Sequence, residues 1–531
     1  QLAEIKVLDR DYLMLHFLDS EIDYVDDGQG PTAFESFIGD PDNNAIVTFG
    51  SALNTSNATN TANWTLKSSS HSAYSGSGQK PDTVHRKRRP NGHSEEAWDT
   101  SIGDWTYDIA HEHYIYLKLP TALQQGASYT LEIAGNTNSN TTSVDFTYDI
   151  YSSQSEAIHV NLVGYSTADG IKSADLYHWM GDGSARDYSW AEGNKVYLHN
   201  VSNGNNTEVG SVQFWKANSN DIFYGRNMTG SDVWTVDFTG FTTPGTYRLV
   251  VEGVGCSPAF KIASDAYKDP FQVQTRGFYY MRIGQDSPND TPVPRRPMWD
   301  PMISSGDDRA TIKITTLDPY DSVWDGGGDR WDQPEFFANY LDGNKTNPNV
   351  AGGHSDALDW DRHLGHVSII YDMLLPYFLT AGAIGDDNLD IAESGNGNPD
   401  ILDEAQYEVD FWLSLRDGDG YSHGLSNPDS NHVLYQAQNT TIAAWANAAN
   451  CAMLSECYRI NGNTTLRNYY RDQAIIAYDY ANSQSNKQLD DTVNVGEATM
   501  RGRDFKMTAA AYLYNVTGNT TYENAMALDS V

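Results

Sequence analysis

The segment Glu393-Ser-Gly-Asn-Gly-Asn-Pro-Asp-Ile-Leu-Asp-Glu-Ala405 marks the start of a helix with one buried face. Asn398 is suited to cap this helix and Pro399 to occupy its first position, because proline lacks the N–H that would be unpaired there. The carboxylates that follow meet the positive end of the helix dipole. Apolar residues then recur at the spacing of one helical face, namely Leu402, Ala405, Val409, Trp412 and Leu413. Such a helix must pack against other elements, so the segment decides the class of the surrounding domain.

Helical periodicity continues on both sides of this segment. After Arg362, the apolar residues that follow the helical period are Leu364, Val367, Ile370, Tyr371, Leu374, Leu375 and Phe378. The same period predicts further helices at residues 271–283, 440–460, 465–484, 504–517 and from 521 onward. No strand pattern separates them, which favours antiparallel helical hairpins in an all-α unit, either an α-toroid or a helical repeat layer.

The chain has a different character before residue 265. Short runs of alternating apolar and polar residues, such as 11–18 and 113–119, are separated by clusters of Gly, Asn, Asp and Ser. A second series of such runs begins at residue 157 and continues to 251. Alternation at this spacing is typical of β-sandwiches, so we expect two of them in succession.

These patterns predict a multidomain β plus α protein. The expected domains are a β-sandwich at 1–152, an Ig-like β-sandwich at 153–265 and a helical domain at 266–531. The polar stretch 54–92 is expected to be a long loop of the first sandwich. Its basic cluster, 85–89, is expected to offset the acidic surface locally rather than to bind nucleic acid.

The overall charge excludes several classes of partner. The 531-residue chain has 71 Asp and Glu against 34 Lys and Arg, which gives a formal net charge of −37. Such a surface repels phosphate groups, so we expect binding to neither nucleic acid nor membranes. No run approaches the ~18 apolar residues of a membrane-spanning helix. With 33 Tyr and 13 Trp, the chain has the residues that globular cores need.

The three cysteines, Cys256, Cys451 and Cys457, are too few for a disulfide framework and lack the Cys-X-X-Cys spacing of metal sites. Cys451 and Cys457 could pair. Burial of all three as small apolar side chains is the simpler expectation.

Two features predict a secreted protein. Gln1 stands where an intact cytosolic chain would begin with Met, which suits a mature end left after signal cleavage. Asn-X-Ser/Thr sequons recur along the chain, and Asn54, Asn57 and Asn63 lie in the polar stretch. We expect these three to carry N-glycans.

The residues best suited to chemistry lie in 351–363. Asp356 and Asp359 are three apart, so a helical turn would place both carboxylates on one side, and the neighbouring glycines let a substrate approach. Two carboxylates so close cannot both ionise easily, which leaves one poised to take a proton. A helix-capping acid or a calcium loop would give the same pattern. Trp360 is a candidate sugar platform and His354 a candidate polar substrate contact, with ordinary packing as the alternative for both.

These motifs resemble a known family. Gly352-Gly-His-Ser-Asp-Ala-Leu-Asp359 is similar to the Gly-Gly-[Trp/His]-x-Asp-Ala-Gly-Asp motif of glycoside hydrolase family nine, the cellulase family with an (α/α)6 barrel. The segment 393–405 is similar to a second signature of that family. Residues 158–165 and 241–248 resemble strands of its N-terminal Ig-like domain, and 278–282 resembles the opening helix of its barrel.

The resemblance implies an inverting β-glycosidase. Asp359 would be the general base that activates water, and Asp356 would help to hold that water. A carboxylic acid would stand opposite the base, about 6.5–9.5 Å away. It must keep its proton near neutral pH, so its site should be more desolvated than that of Asp359.

This chain departs from the family pattern at two points. Leu358 replaces a glycine of the first motif, which could crowd the substrate side of the loop. The family's acid is a late Glu, which we expect beyond residue 531, so that only about half of the barrel is present; Glu497 lacks the surroundings of that acid. Half a barrel would expose apolar faces, so we expect self-association or covering by the missing C-terminal half.

The expected partner is a β-glucan or a related carbohydrate. No cofactor is expected to be required, although a structural calcium ion could bind at 385–390 or 417–420, where solvated turns are the simpler expectation. The alternative function is a non-catalytic glycoprotein scaffold or carbohydrate-binding protein derived from a hydrolase. The sequence leaves open which β-glycan is used and whether the cut is internal or terminal.

Overall fold

The computed structural model describes residues 1–26, 43–48, 51–219, 228–282, 312–317, 334–354, 364–426, 433–495 and 498–529. These residues form two compact units, one up to Lys268 and one from Asp269 onward. The first unit is rich in strands and the second in helices, which agrees with the predicted change of pattern near residue 265. The finer domain boundaries at 152 and 265 remain predictions.

The first half of the first unit is a β-sandwich. Its elements are β1 (Leu2–Asp9), β2 (Tyr12–Leu18), β3 (Ser20–Asp26), β4 (Asn43–Thr48), α1 (Thr55–Ala58), β5 (Trp64–Lys67), β6 (Thr83–Asp99), β7 (Asp104–Lys118), β8 (Ser128–Ile133) and β9 (Ser143–Thr147). They pair as a sheet β1-β2-β7-β6, a sheet β5-β8-β9 and a hairpin β3-β4. Leu13, Leu15, Leu117 and Leu131 belong to the core between the two larger sheets. The predicted alternation of inward apolar and outward polar residues produces this packing.

The second half of the first unit has two further sheets. Its strands are β10 (Ile158–His159), β11 (Ser173–Leu176), β12 (Lys195–Asn200), β13 (Asn206–Ser211), β14 (Gln213–Lys216), β15 (Val233–Asp237), β16 (Gly245–Val251), β17 (Gly255–Cys256) and β18 (Phe260–Ile262). One sheet has the order β10-β11-β15-β14, and the other has the order β13-β12-β16-β17 with β18 also paired to β16. Leu176, Val196, Trp234 and Leu249 are buried in one core.

The prediction of one long loop at 54–92 is wrong. This stretch contains α1, β5 and the start of β6. Residues 85–89 pair with β7, so the basic cluster is part of a sheet. Successive side chains of a strand alternate between its faces, which separates the like charges. Lys87 also lies over the ring of Tyr114, with Nζ 4.7 Å from the ring centroid. The cluster is therefore compatible with a strand, although its basic composition did not predict one.

The second unit is mainly helical. Its elements are α2 (Lys268–Met281), β19 (Ile312–Thr315), β20 (Leu341–Thr346), α3 (Ser368–Leu379), α4 (Asp400–Ser414), β21 (Arg416–Asp417), β22 (Gly420–Tyr421), β23 (Leu434–Gln436), α5 (Thr441–Asn461), α6 (Thr464–Ser483), β24 (Thr492–Val495), β25 (Ala498–Arg501), α7 (Gly502–Thr517) and α8 (Thr520–Asp529). The short strands form a sheet β20-β19-β23 and hairpins β21-β22 and β24-β25, which the sequence pattern did not predict.

Helix α5 forms the centre of the helical core. Thr440 caps it by accepting a hydrogen bond from the backbone N–H of Ala443, and the helix ends at Gly462, whose φ is +85°. Nearly every side chain between these ends is buried. Trp445 is part of this core, as predicted, and its Nε1 donates to the carbonyl of Lys487 at 3.0 Å.

Helix α4 begins one residue later than predicted. Pro399 occupies the capping position, and the first helical residue is Asp400. The side chain of Asn398 does not cap the helix; its Oδ1 instead accepts hydrogen bonds from Nδ2 of Asn461 and Asn463. Of the predicted apolar stripe, Leu402, Ala405, Val409 and Trp412 are buried, whereas Leu413 is half-buried. Four carboxylates of the same helix are buried as well: Asp400, Asp403, Glu404 and Glu408.

Candidate functional site

The loop that leads into the proposed catalytic dyad passes very close to α4. Gly352 and Gly353 have φ values of +86° and +89°, which residues with side chains adopt only with strain. A Cβ on Gly352 would lie 3.4 Å from the carbonyl oxygen of Tyr407. After the turn, His354 pairs with Arg282 in an antiparallel bridge. The two glycines therefore allow the loop to be held between α4 and the residue that follows α2.

The ring of His354 is fixed between two glutamates of α4. Its Nδ1 lies 2.8 Å from Oε2 of Glu408, and its Nε2 lies 3.2 Å from Oε2 of Glu404. All three side chains have no exposed surface. Because both ring nitrogens face carboxylates, both carry hydrogen and the ring is an imidazolium. Burial opposes this charge, but the bonds to Glu404 and Glu408 outweigh it and raise the pKa of His354 to about 9.

Arg282 completes a buried ionic network. Its Nε donates to Oε2 of Glu404 at 3.1 Å, and its Nη2 lies 2.8 Å from Oε1 of the same carboxylate. Its Nη1 donates to Oε1 of Glu393 at 2.9 Å. The guanidinium also lies over the ring of Tyr407, with Cζ 4.4 Å from the ring centroid. Arg282 thus ties the end of α2 to α4 and to the loop before it.

The network balances its charges. The cations Arg282 and His354 face the anions Glu404 and Glu408, so the fully buried groups carry no net charge. The remaining oxygen of Glu408, Oε1, accepts a hydrogen bond from Nε1 of Trp412 at 2.7 Å. Buried charges persist when they lie beside opposite charges, and each of these four groups does.

A cavity of ≈ 300 Å³ lies between the glycine turn and α4, lined by Ala351, Gly352, Glu393, Asp403, Gln406, Tyr407 and Asp410. Burial, reinforced by the charge of Glu393, raises the pKa of Asp403 to about 7. Nδ2 of Asn396 donates to Asp403 at 3.1 Å. Burial also raises the pKa of Asp410, which accepts a hydrogen bond from the hydroxyl of Tyr470 at 2.8 Å. The cavity therefore holds one carboxyl group, that of Asp403, that can exchange a proton near neutral pH.

The predicted role of His354 as a polar substrate contact does not fit this geometry. The ring has no exposed surface, and both of its nitrogens already face glutamates. His354 instead holds the loop in place. Asp356, Asp359 and Trp360, together with Leu358 and Glu497, lie outside the described residues, so their predicted roles remain predictions.

Of the three predicted glycosylation sites, Asn54 caps α1, Asn57 lies within it and Asn63 follows it, and all three are half-buried. Oδ1 of Asn54 accepts a hydrogen bond from the backbone N–H of Asn57 at 3.1 Å. Nδ2 of Asn57 donates to the carbonyl of Asn136, and Nδ2 of Asn63 donates to the carbonyl of Asn57, each at 2.8 Å. Two of the three amide nitrogens that would carry a glycan are therefore already hydrogen-bonded.

The sequence analysis missed the ionic network. Arg282, Glu393 and Glu404 all lie in segments that carry the family resemblance, but the acids near the start of α4 were assigned only to the helix dipole. A sequence signal was present, because Glu404 and Glu408 are four residues apart on a helix and adjoin the apolar stripe. Charged residues at that position must find buried partners.

Within the residues that the structure describes, no group of three or more His, Cys, Asp or Glu side chains could hold a metal ion. In the segments 385–390 and 417–420, Asp387 accepts hydrogen bonds from the backbone N–H groups of Gly395 and Gly397, and Asp417 accepts one from Nζ of Lys345. None of the described helices is long and apolar enough to cross a membrane. The three cysteines are free and buried, as expected.

Comparison with known proteins finds similarity to cellulases. Residues 153–256 match the model of the cellulase N-terminal Ig-like domain. Endoglucanase D of Acetivibrio thermocellus is 26% identical over 321 residues, which cover 56% of this chain and 45% of the relative. A xyloglucan-specific endo-beta-1,4-glucanase of Bacteroides ovatus is 26% identical over 279 residues, which cover 47% of this chain and 42% of the relative. The chain thus spans less than half the length of these curated relatives.

Solved structures give similar matches. A Bacteroides ovatus GH9 structure has a TM-score of 0.49 and 19% identity, covering 71% of this chain and 64% of that one. A metagenome-derived glycoside hydrolase family 9 endoglucanase also has a TM-score of 0.49, with 22% identity and coverage of 70% and 63%.

This chain therefore contains an Ig-like domain of the cellulase N-terminal type, followed by a helical unit, and is similar to endoglucanases over about half of its length. The resemblance to glycoside hydrolase family nine is confirmed by the Ig-like match and by the endoglucanase relatives.

Proposed function

We propose that this chain is part of a secreted glycoside hydrolase that cleaves β-linked glucan with inversion at the anomeric carbon. One observation carries the proposal. The segments that resemble the family, 278–282, 352–354 and 393–405, lie far apart in sequence yet meet in one buried network through Arg282, His354 and Glu404. The endoglucanase relatives support the same reaction.

The proposed chemistry assigns one role to each predicted residue. Asp359 takes a proton from water as that water attacks the anomeric carbon, and Asp356 holds the water in place. A carboxylic acid opposite the base gives its proton to the leaving oxygen, at the separation that leaves room for water. Trp360 supplies an aromatic face for a pyranose ring. The described residues contribute by fixing the backbone at His354, two positions before Asp356.

The proposal extends to the architecture and the compartment. The helical unit belongs to an (α/α)6 barrel, the protein is exported, and its sequons carry N-glycans. The alternative of a non-catalytic scaffold is not favoured, because the curated relatives it matches carry the names of endoglucanases. Neither nucleic acid nor a membrane is a proposed partner.

The test uses the full-length protein and barley β-glucan. Asp359→Asn should lower the turnover number by about 10²–10⁴-fold, the usual contribution of an acid–base group. Asp419→Asn is the matched control, because Asp419 is exposed in the turn between β21 and β22. Proton NMR of the first product should show the α-anomer. Full activity in Asp359→Asn, or an initial β-anomer, would contradict the proposed mechanism.

A further inference from the structure

The large negative charge of the protein has no role in the proposed hydrolysis. Asp and Glu number 71 against 34 Lys and Arg, which gives a formal net charge of −37 at pH 7. The fold does not collect these carboxylates into a metal centre, since no group of His, Cys, Asp or Glu among the described residues could hold an ion. The proposed reaction needs only a few carboxyl groups, so most of the charge requires another explanation.

The scarce cations are shared between carboxylates. Two lysines each lie beside two acidic side chains, namely Lys6 beside Glu4 and Glu156, and Lys345 beside Asp342 and Asp417. Nζ of Lys345 lies 2.6 Å from Oδ2 of Asp342 and 3.3 Å from Oδ2 of Asp417. One positive charge neutralises only one of two carboxylates, so each of these groups keeps a negative charge.

Other carboxylates face water without a cation. Exposed side chains that form no ion pair within the described part of the chain include Asp82, Glu192, Glu252 and Asp479. The first three belong to the first unit and the last belongs to the second, so the excess charge is present in both. Folding brings like charges closer together than they are in an expanded chain, and their repulsion therefore opposes the compact state.

Dissolved salt weakens this repulsion. The distance over which exposed charges interact is ~10 Å in 0.1 M salt and ~3 Å in 1 M salt. The unfolded chain holds the same charges farther apart, so screening relieves the folded state more. Buried ion pairs are screened much less. The contacts of Arg282 and His354 with Glu404, which have no exposed surface, should therefore keep their strength while the repulsion at the surface is removed.

Solubility is the other property that a charged surface provides. The two explanations differ in what they predict for the folding equilibrium. If the charge serves solubility alone, added salt should leave the unfolding temperature unchanged. If the charge also opposes folding, the unfolding temperature should rise with the salt concentration. The cations shared by Lys6 and Lys345 and the unpaired acids favour the second explanation.

We propose that the folded protein depends on a layer of mobile monovalent cations and is fully stable only in concentrated salt. The partner of these cations is the acidic surface as a whole rather than one binding site. Because this dependence concerns folding, it is independent of the proposed hydrolysis, and each of the two can fail without the other.

The first experiment follows the unfolding of the full-length protein by differential scanning calorimetry at pH 7. Between 0.1 M and 2 M NaCl, the unfolding temperature should rise by about 10 °C or more. KCl should have the same effect as NaCl, because screening depends on the charge of the ion and not on its size. An unchanged or falling temperature would overturn the proposal. A rise in only one of the two salts would also overturn it, because that result indicates a specific ion site.

A charge-reduced variant separates screening from the general effect of salt on apolar burial. It combines four substitutions at the exposed acids, Asp82→Asn, Glu192→Gln, Glu252→Gln and Asp479→Asn. The matched control keeps the charge at the same positions, with Asp82→Glu, Glu192→Asp, Glu252→Asp and Asp479→Glu. In 0.1 M NaCl, only the charge-reduced variant should unfold at a higher temperature than the parent, by about 2 °C or more.

The difference between the charge-reduced variant and the parent should disappear in 2 M NaCl, where exposed charges no longer interact over long distances. The control should follow the parent at both salt concentrations. An identical response of all three proteins to salt would overturn the proposal, because it would assign the effect of salt to apolar burial.

Discussion

Nδ1 of His354 lies 2.8 Å from Oε2 of Glu408, a residue 54 positions later in the chain. This contact fastens the loop after the glycine turn to the middle of α4. The other ring nitrogen faces Glu404, which also binds Arg282. The position of the loop therefore depends on a histidine that touches no solvent.

His354→Ala should destabilise the helical unit strongly, because it leaves Glu408 and part of Glu404 buried without a cation. Removing one partner of a buried ionic group costs about 3–5 kcal/mol. Differential scanning calorimetry should show a lower unfolding temperature for the helical transition. His199→Ala is the control, since His199 is partly exposed in the first unit. Equal effects of the two substitutions would argue against the network as a source of stability.

The stability of the helical unit should depend on pH through His354. The folded pKa is about 9 and the ordinary value is 6.5, so the charged ring stabilises the fold. This contribution is fully present below about pH 6.5 and is lost as the pH rises through about 9. Unfolding temperatures measured from pH 6 to pH 10 should fall over this window. In His354→Gln the fall should be smaller, and an unchanged profile in that variant would assign the pH dependence to another group.

Asp403→Asn should stabilise the helical unit at pH 8 more than at pH 4. Asp403 has a folded pKa of about 7 against an ordinary value of 3.8, so its ionisation in the folded state is unfavourable. The resulting loss of stability begins near the ordinary value and is complete above about pH 7. We expect the unfolding temperature at pH 8 to rise by about 2 °C or more. Asp419→Asn, at an exposed turn, should show no such difference between the two pH values.

Gly352→Ala tests the close passage of the loop. Gly352 and Gly395 have nearly equal φ values, +86° and +88°, but only the first would place a Cβ against Tyr407; the second has open space. Both alanine variants should share the backbone cost. The Cβ at Gly352 would be at an ordinary contact distance, so any shift of the loop comes from backbone strain. Because Gly352 lies four residues before Asp356, that strain should lower kcat/KM on β-glucan by about 10²-fold in Gly352→Ala alone, as displaced catalytic groups do. Equal losses in both variants would mean that the position of the strained residue does not matter.

Glycan occupancy should differ among the three predicted sequons. Nδ2 of Asn57 and Nδ2 of Asn63 already donate hydrogen bonds, whereas Asn54 uses its Oδ1 to cap α1. We therefore expect Asn54 to be the most fully modified, because its bond leaves the amide nitrogen available. Glycopeptide mass spectrometry after enzymatic deglycosylation in ¹⁸O water gives the occupancy of each site. Higher occupancy at Asn63 than at Asn54 would contradict this order.

The sequence pattern correctly predicted helices and strands that are determined by residues close together in the chain. The alternation in 11–18 and 113–119 gave strands β2 and β7, and the apolar spacing after Leu402 gave the buried stripe of α4. The strand that contains residues 85–89 was wrongly predicted to be part of a loop, because a strand accepts charges on alternate faces once a neighbour pairs with it. Only tertiary structure supplies that neighbour.

The ionic network could not be predicted from neighbouring residues either, because its members are far apart in sequence. From the sequence alone, His354 could be a substrate contact or an ordinary packed side chain, and its role depends on the residues beside it. Its partners, Glu404 and Glu408, come from a helix that begins after a loop of irregular structure. The pairing of Arg282 with Glu404 spans 122 positions. Such distances are fixed by packing and not by the residues nearby.

The balanced network also constrains the order in which the helical unit assembles. Helix α4 carries two anions on a buried face, while their cationic partners arrive from the ends of two other segments, 122 and 54 positions away in sequence. If a partly folded chain buries α4 before Arg282 and His354 have both docked, at least one carboxylate is left unpaired in an apolar environment. Intermediates with only one partner in place are therefore unfavourable, and the three segments should dock together in one cooperative step. The charges that hold the loop in the folded protein thus also disfavour partly assembled intermediates during folding.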